Sequence, residues 1–332
     1  MRACPHAALL VLLGSLTALL LAASIAVGYA PLDIAQAARD WLHGDMSLPA
    51  LVLSELRIPR AVLGLTVGFT LGLTGAAMQG FLRNPLADPG VIGVSAMAAL
   101  GSVIVFYSGL AGAFLLALPL GGITGAAVAV ILLYALAGRG GSTTTLVLAG
   151  VAISAFAGAL TSLALNLSPS PYAAMEIMFW LMGSLAERSM LHLELAVPLM
   201  FLGWCLVLST AKDLDALVLG EDTASSLGVH IPGLRLRLVA GTALSVGSAV
   251  AVAGAVGFVG LIVPHLLRPL TGHRPGRLLL ASGLGGASLT MAADIAIRLL
   301  ATRPELKLGV VTALIGAPFL FGLIYRLRRE GP

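Results

Sequence analysis

Apolar residues run along this chain in long blocks, separated by charges, prolines and turn-forming clusters, rather than alternating with polar residues at a strand or surface-helix period. A block of ~20 apolar residues is what a helix needs to cross the hydrocarbon of a bilayer. Dividing the chain at its charges, prolines and turn clusters predicts ten crossings, at 9–29, 60–82, 92–108, 114–137, 143–166, 191–210, 237–256, 258–271, 277–299 and 308–327. The uncharged stretch between Asp88 and Arg139 holds two of them, turning at Gly109 to Gly112. The eighth is short and contains Pro264. Two further segments lie outside the crossings. One, about 30–56, carries Asp33, Asp40, Trp41, Asp45 and Glu55. The other, 168–190, opens Ser168-Pro169-Ser170-Pro171 and holds an apolar piece, Met175 to Ala186, too short to span. It predicts a short helix that lies at the outer face or re-enters the bundle. The first apolar block, Ala7 to about Ala30, is longer than the ~7–15 residues of a signal-peptide core, so it reads as a retained helix with its N-terminus inside.

The fold class expected is therefore all-α: a polytopic membrane protein of about ten transmembrane helices. It forms one transmembrane domain over 1–332, with the segment 168–190 outside and the longest cytoplasmic loop at 211–236. Composition strengthens this. Of 332 residues 58% are apolar and only 10% charged, against ~25% charged in a soluble domain. That excludes an ordinary soluble enzyme and a disordered chain. Glycine, at 40 residues, lets membrane helices approach closely and predicts a compact bundle. The formal net charge of +4 does not indicate nucleic acid, because the basic residues are dispersed without interleaved aromatics. Their distribution is topogenic. Twelve of the nineteen, Arg2 and Arg139 among them, fall inside, and seven fall outside: Arg39, Arg57, Arg60, Arg188, Arg298, Arg303 and Lys307.

A shift of 177 residues brings Arg60, Gly64, Gly80 and Phe81 onto Arg237, Gly241, Gly257 and Phe258. An odd number of crossings separates the two copies, so they would be inverted, as transporter repeats are.

Candidate chemistry is sparse. Cys4 and Cys205 are the only cysteines, and the six histidines show no i,i+4 or HxH spacing, so no metal site is predicted. No G-x-S-x-G elbow occurs, and no catalytic residue is assigned. Lys212 and Lys307 are the only lysines and neither follows a glycine, which excludes a Walker A loop; any ATP must be bound by another chain. Asp294 is the one carboxylate well inside a predicted crossing, and it makes a rival reading available, an ion-coupled secondary transporter. Arg298, four residues on, offers a structural ion pair instead.

Four blocks are more specific. They are Arg57-Ile58-Pro59-Arg60 with the stretch from Gln79 to Ser95 (QGFLRNPLADPGVIGVS); Phe179 to Leu185 (FWLMGSL); Leu219 to Gly228 (LGEDTASSLG); and Gly257 to His265 (GFVGLIVPH) with Ala293-Asp294 and Gly309 to Pro318 (GVVTALIGAP). In this order and spacing the chain resembles the iron-siderophore, haem and cobalamin uptake permeases of ATP-binding-cassette importers. The resemblance implies a homodimer or pseudo-homodimer in a bacterial inner membrane, with cytoplasmic termini and a path at the dimer axis. Two ATPase subunits would carry ATP and Mg, none of it bound by this chain, and a substrate-binding protein would dock outside. Ferric siderophore is the first expected substrate, then haem, then cobalamin.

By the same resemblance, Gly220, Glu221, Ala224, Leu227 and Gly228 form the element that seats in the ATPase; Glu221 and Asp222 suit a helix N-terminus, where the dipole favours negative charge. Arg57, Arg60 and Arg298 would accept acidic residues of the binding protein, with snorkelling to the membrane surface as the alternative. Asn84, Leu86, Thr143 and Thr144 would close a cytoplasmic gate, with helix capping by Ser142 or Thr143 as the alternative. Two departures stand out. Ala96-Met97-Ala98-Ala99 replaces a small polar residue and glycine after Ser95, which argues against close packing there, and Lys307 stands where proline is common.

Overall fold

The computed structural model describes residues 6–330 other than 30, 46, 113, 115, 139–141 and 169, and the side chains of all of these but 324 and 326–330. Arg2, Cys4 and Arg139 thus lie outside the described residues. Among the described residues the structure is helical, with no strand. Helix α1 spans His6–Ala26, α2 Ile34–His43 and α3 Leu48–Leu51; α3 runs through a π-helical turn, Val52–Arg57, into α4, Ile58–Phe81. There follow α5 (Val94–Tyr107), α6 (Ala117–Ala137), α7 (Thr143–Asn166) and α8 (Pro171–Leu181). Next come α9 (Met190–Leu208), α10 (Ala211–Leu217), α11 (Glu221–Ser226), α12 (Ile231–Ala253), α13 (Val259–Leu267), α14 (Pro275–Leu300) and α15 (Leu308–Glu330). Starts follow the local chemistry: Ser142 and Ser170 accept the backbone N–H groups of Thr145 and Ala173, while Pro59 and Pro171 occupy first-turn positions that need no N–H.

Among the described residues seven runs are long and apolar enough to cross a membrane: α1, the continuous Leu48–Phe81, α6, α7, α9, α12 and α14; Val94–Tyr107 and Leu308–Leu323 are shorter apolar helices. The predicted eighth crossing, 258–271, takes another form. Only nine residues are helical in α13, about 14 Å at 1.5 Å per residue, against ~30 Å of hydrocarbon. Its neighbours show that the chain nonetheless changes ends here. Val252, at the close of α12, accepts a hydrogen bond from Arg188, which lines one cavity with Arg57 and Arg60, whereas Gly276, at the start of α14, donates to Asp215 of α10. The connection between these two ends is Gly254–Phe258, non-helical, then α13, then a 3-10 turn at Pro269–Thr271. Irregular backbone at membrane depth needs protein partners. Ala253 O accepts Ser184 N–H at 2.7 Å, while Gln79 Nε2 reaches the carbonyls of Gly260 and Leu261 at 3.5 and 3.2 Å.

The centre is α4, α12 and α14, buried along most of their length; in α1, α6, α7 and α9 only a minority of residues is buried. Small residues set the α4–α14 spacing. A Cβ at Gly72 would overlap the Ser282 carbonyl, and one at Gly286 would overlap that of Gly68. Gly72→Val is therefore expected to separate the two helices and cost at least about 3 kcal/mol, read as a lowered unfolding midpoint and loss of a monodisperse peak in detergent. The Ala96–Ala99 departure does not loosen packing: Met97, Ala98 and Ala99 are buried, and a Cβ at Gly125 of α6 would overlap the Met97 carbonyl. Alanine is small enough to keep α5 against α6. In the shifted repeat, α4 and α12 run antiparallel, since Arg60 at the start of α4 lines one cavity with Arg188, and Arg188 donates to Val252 at the end of α12. Arg60 and Arg237 both form ion pairs, with Asp294 and Asp213.

Candidate functional site

At one end of the bundle the three predicted docking arginines converge. Arg57 lies on the π turn and donates through Nη1 to Ile25 O (3.2 Å) and Ala26 O (2.7 Å), carbonyls in the unpaired last turn of α1. Arg298 reaches the same helix end through Ser24 O (2.7 Å), Val27 O (2.6 Å) and Ser24 Oγ (2.6 Å). Asp294 then joins α14 to α4: its carboxylate pairs with Arg298 at 2.9 Å and with Arg60 at 2.8 Å, and Arg60 also pairs with Glu305. Arg57 and Arg298 are buried, so they do not snorkel. Their donors face the protein's own acceptors, two cations complementing the negative end of α1.

These side chains line a cavity of about 370 Å³, together with Tyr29, Leu56, Leu185, Glu187, Arg188 and Glu305. Sequence reasoning counted Arg188 as outside but gave it no role, and missed Glu305 and Tyr29. Burial lowers the Arg188 pKa, with Glu187 acting in the opposite sense, and burial followed by the Glu305 charge raises that of Tyr29.

The other end carries the segment 211–236. Helix α10 is tied down by Arg237–Asp213 (2.5 Å) and Arg274–Asp215 (3.2 Å), with Asp215 also accepting Gly276 N–H at 2.8 Å. The predicted glycines bracket α11: Gly220 has φ 103° and Gly228 φ 91°, conformations that suit glycine alone. Ala224 is buried beneath the segment, while Leu227 points out. Glu221, at the first turn of α11, accepts a hydrogen bond from Thr143 Oγ1 at 2.7 Å. The candidate coupling and gate residues thus meet. Ser142 supplies the α7 cap, which leaves Thr143 free to make this bond. Thr144 is exposed, and Asn84 forms a turn of its own by accepting Leu86 N–H at 2.9 Å. No hydrogen bond among the described residues joins Asn84 or Leu86 to Thr143 or Thr144.

A third feature is an apolar groove of about 610 Å³ along α15, lined by Gly309, Val310, Ala313, Leu314, Ala317, Pro318 and Phe321 with Met182 and Ala255. Segment 168–190 reaches its head: Gly309 N–H donates to Met182 O at 3.1 Å. Lys307 finds its partner here, its Nζ 5.6 Å from the centre of the Phe179 ring, a cation–π contact between α8 and the start of α15. Among the described residues no group of histidine, cysteine or carboxylate side chains could hold a metal ion.

A close-packed helical bundle with one broken crossing and polar segments at its ends is the fold of a polytopic transport permease of the ATP-binding-cassette type. The chain belongs to the FecCD transport family, whose profile matches residues 16–326. It is 39% identical over 312 residues to the Fe(3+) dicitrate transport system permease protein FecD of Escherichia coli K12, covering 92% of this chain and 94% of that protein. It is 37% identical to the hemin transport system permease protein HmuU of Yersinia pestis, over 83% of this chain and 84% of that one. It is 39% identical to the cobalamin import system permease protein BtuC of Halobacterium salinarum, over 82% and 73%. Among solved structures it is similar to a chain of a proposed metal-chelate-type ABC transporter in an inward-facing conformation, with a TM-score of 0.84, 31% identity, and coverage of 97% and 99%.

Proposed function

We propose that this chain is the membrane-spanning subunit of an ATP-driven importer for a metal chelate, working as a homodimer in a bacterial inner membrane. The observation that carries the reading is the whole-length similarity to permeases named for three different metal chelates, ferric dicitrate, hemin and cobalamin. A ferric chelate of the siderophore kind is the first choice of substrate, haem the second and cobalamin the third. The chain catalyses no covalent chemistry; two ATPase subunits supply it, with their ATP and Mg. Their contact is the segment bracketed by Gly220 and Gly228, with Glu221, Ala224 and Leu227 between. Thr143, Thr144, Asn84 and Leu86 close the path at that end, which is the cytoplasmic one. The arginine end faces out, and Arg57, Arg60 and Arg298 give it the charge that attracts acidic residues of a substrate-binding protein. The apolar groove along α15, completed by a second copy, offers the bulky substrate a surface without fixed charge.

The rival reading, ion coupling through Asp294, has less support. That carboxylate is ion-paired on both sides and has no free face to load and release a proton. Proteoliposomes separate the two. Vanadate-sensitive uptake of a ferric siderophore, haem or cobalamin is expected only when the ATPase and binding protein are present. Uptake of such a chelate driven by an ion gradient, without the ATPase, would refute the proposal.

A further inference from the structure

We propose that Arg188 receives a carboxylate side chain of the docking protein, a contact that rests on the importer reading and adds a recognition residue to it. Of the four guanidinium groups that line the cavity, Arg57, Arg60, Arg188 and Arg298, three are taken up by the protein's own acceptors. Arg298 is paired with Asp294, Arg60 with Asp294 and Glu305, and Arg57 is bound to the end of α1. Arg188 donates through Nε to Val252 O at 2.5 Å; among the described residues its two terminal nitrogens make no hydrogen bond and no ion pair. Glu187 is exposed, in a left-handed conformation at φ 58°, and forms no salt bridge with its neighbour. Arg188 lines the cavity, and its two terminal nitrogens are parallel donors, the geometry that takes a carboxylate bidentately. A half-buried cation whose neighbouring carboxylate, Glu187, is exposed and not hydrogen-bonded to it is costly, and an incoming anion offsets that cost.

Size and surroundings favour a protein side chain over a free anion or the transported chelate. The cavity holds about 370 Å³, and its rim carries Tyr29 and Leu56, 53% and 56% exposed, a large aromatic and a leucine beside arginine. A docked protein would cover that apolar rim; a small anion would leave it wet. The chelate has the larger, uncharged groove along α15.

The test uses the permease with its ATPase in nanodiscs and its substrate-binding protein, with affinity followed by biolayer interferometry over a salt series. Arg188→Gln should weaken binding roughly 30-fold and flatten its salt dependence. Arg188→Lys should retain part of the affinity, and Arg188→Glu should regain binding when one acidic residue on the binding protein is changed to arginine. That rescue distinguishes a direct contact from loss of the Val252 bond. Unchanged affinity and salt dependence in Arg188→Gln would overturn the assignment while leaving the importer reading intact. Failure of the wild-type complex to bind the protein at all would overturn both. Citrate binding that Arg188→Gln abolishes, measured without the binding protein, would overturn docking in favour of a small anion.

Discussion

Replacing Asp294 by alanine is expected to destabilise the protein by about 3–5 kcal/mol, the cost of removing one partner from a buried ionic cluster. The carboxylate is shared by Arg60 and Arg298, and without it Arg298 keeps only the backbone carbonyl of residue 294 and the acceptors at the end of α1. Because those contacts join α1, α4 and α14, the loss should spread beyond α14 and appear as a single lowered midpoint in an SDS-unfolding titration. Asp294→Asn should fall between, since it keeps the shape and some hydrogen bonds but not the charge. A group that served only to carry protons would behave otherwise, with Asp294→Asn folding normally and failing only in transport. An alanine variant with the wild-type midpoint would contradict the structural role.

Exchanging Glu221 for arginine is expected to lower uptake by at least ten-fold while ATP hydrolysis continues, because two interactions are lost together. The variant sets a positive charge at the N-terminus of α11, where the helix dipole disfavours it, and it removes the acceptor for Thr143. Hydrogen bonds to a charged group contribute about 1.5–3 kcal/mol, enough to hold α7 and α11 in step but small enough to break in a transport cycle. Thr143→Val isolates the second effect: it leaves the Glu221 carboxylate in place and should give a smaller loss of uptake, with leak of preloaded substrate from liposomes. Normal uptake in Glu221→Arg would remove the coupling role from this segment.

The positions of the membrane helices were legible because solvation by lipid is a property of the local sequence; 143–166, expected as the fifth crossing, coincides with α7. The broken crossing was not. An extended stretch and a short helix have the same hydropathy as a continuous span, and only Pro264 and the shortness of the segment marked it. Among the charges, the Asp294–Arg298 pair could be read from its i,i+4 spacing, but Arg60 joins it across 234 positions and Thr143 meets Glu221 across 78. No local pattern encodes such distances. The family motifs single out those residues without saying what each one touches. Lys307 is the clearest case: its sequence position looked anomalous, and Phe179 on another helix accounts for it.

The broken crossing bears on how the chain is made. A nine-residue helix has too little apolar length to leave a translocon by itself, and the bare backbone of Gly254–Phe258 has no partner in lipid. Its acceptor Ala253 O is met by Ser184, synthesised earlier, while α14 and α15, which flank α13, are synthesised later. The second half of the protein must therefore wait beside its first half, with α13 sheltered, until α14 and α15 arrive to close around it, so the order of synthesis becomes part of the fold.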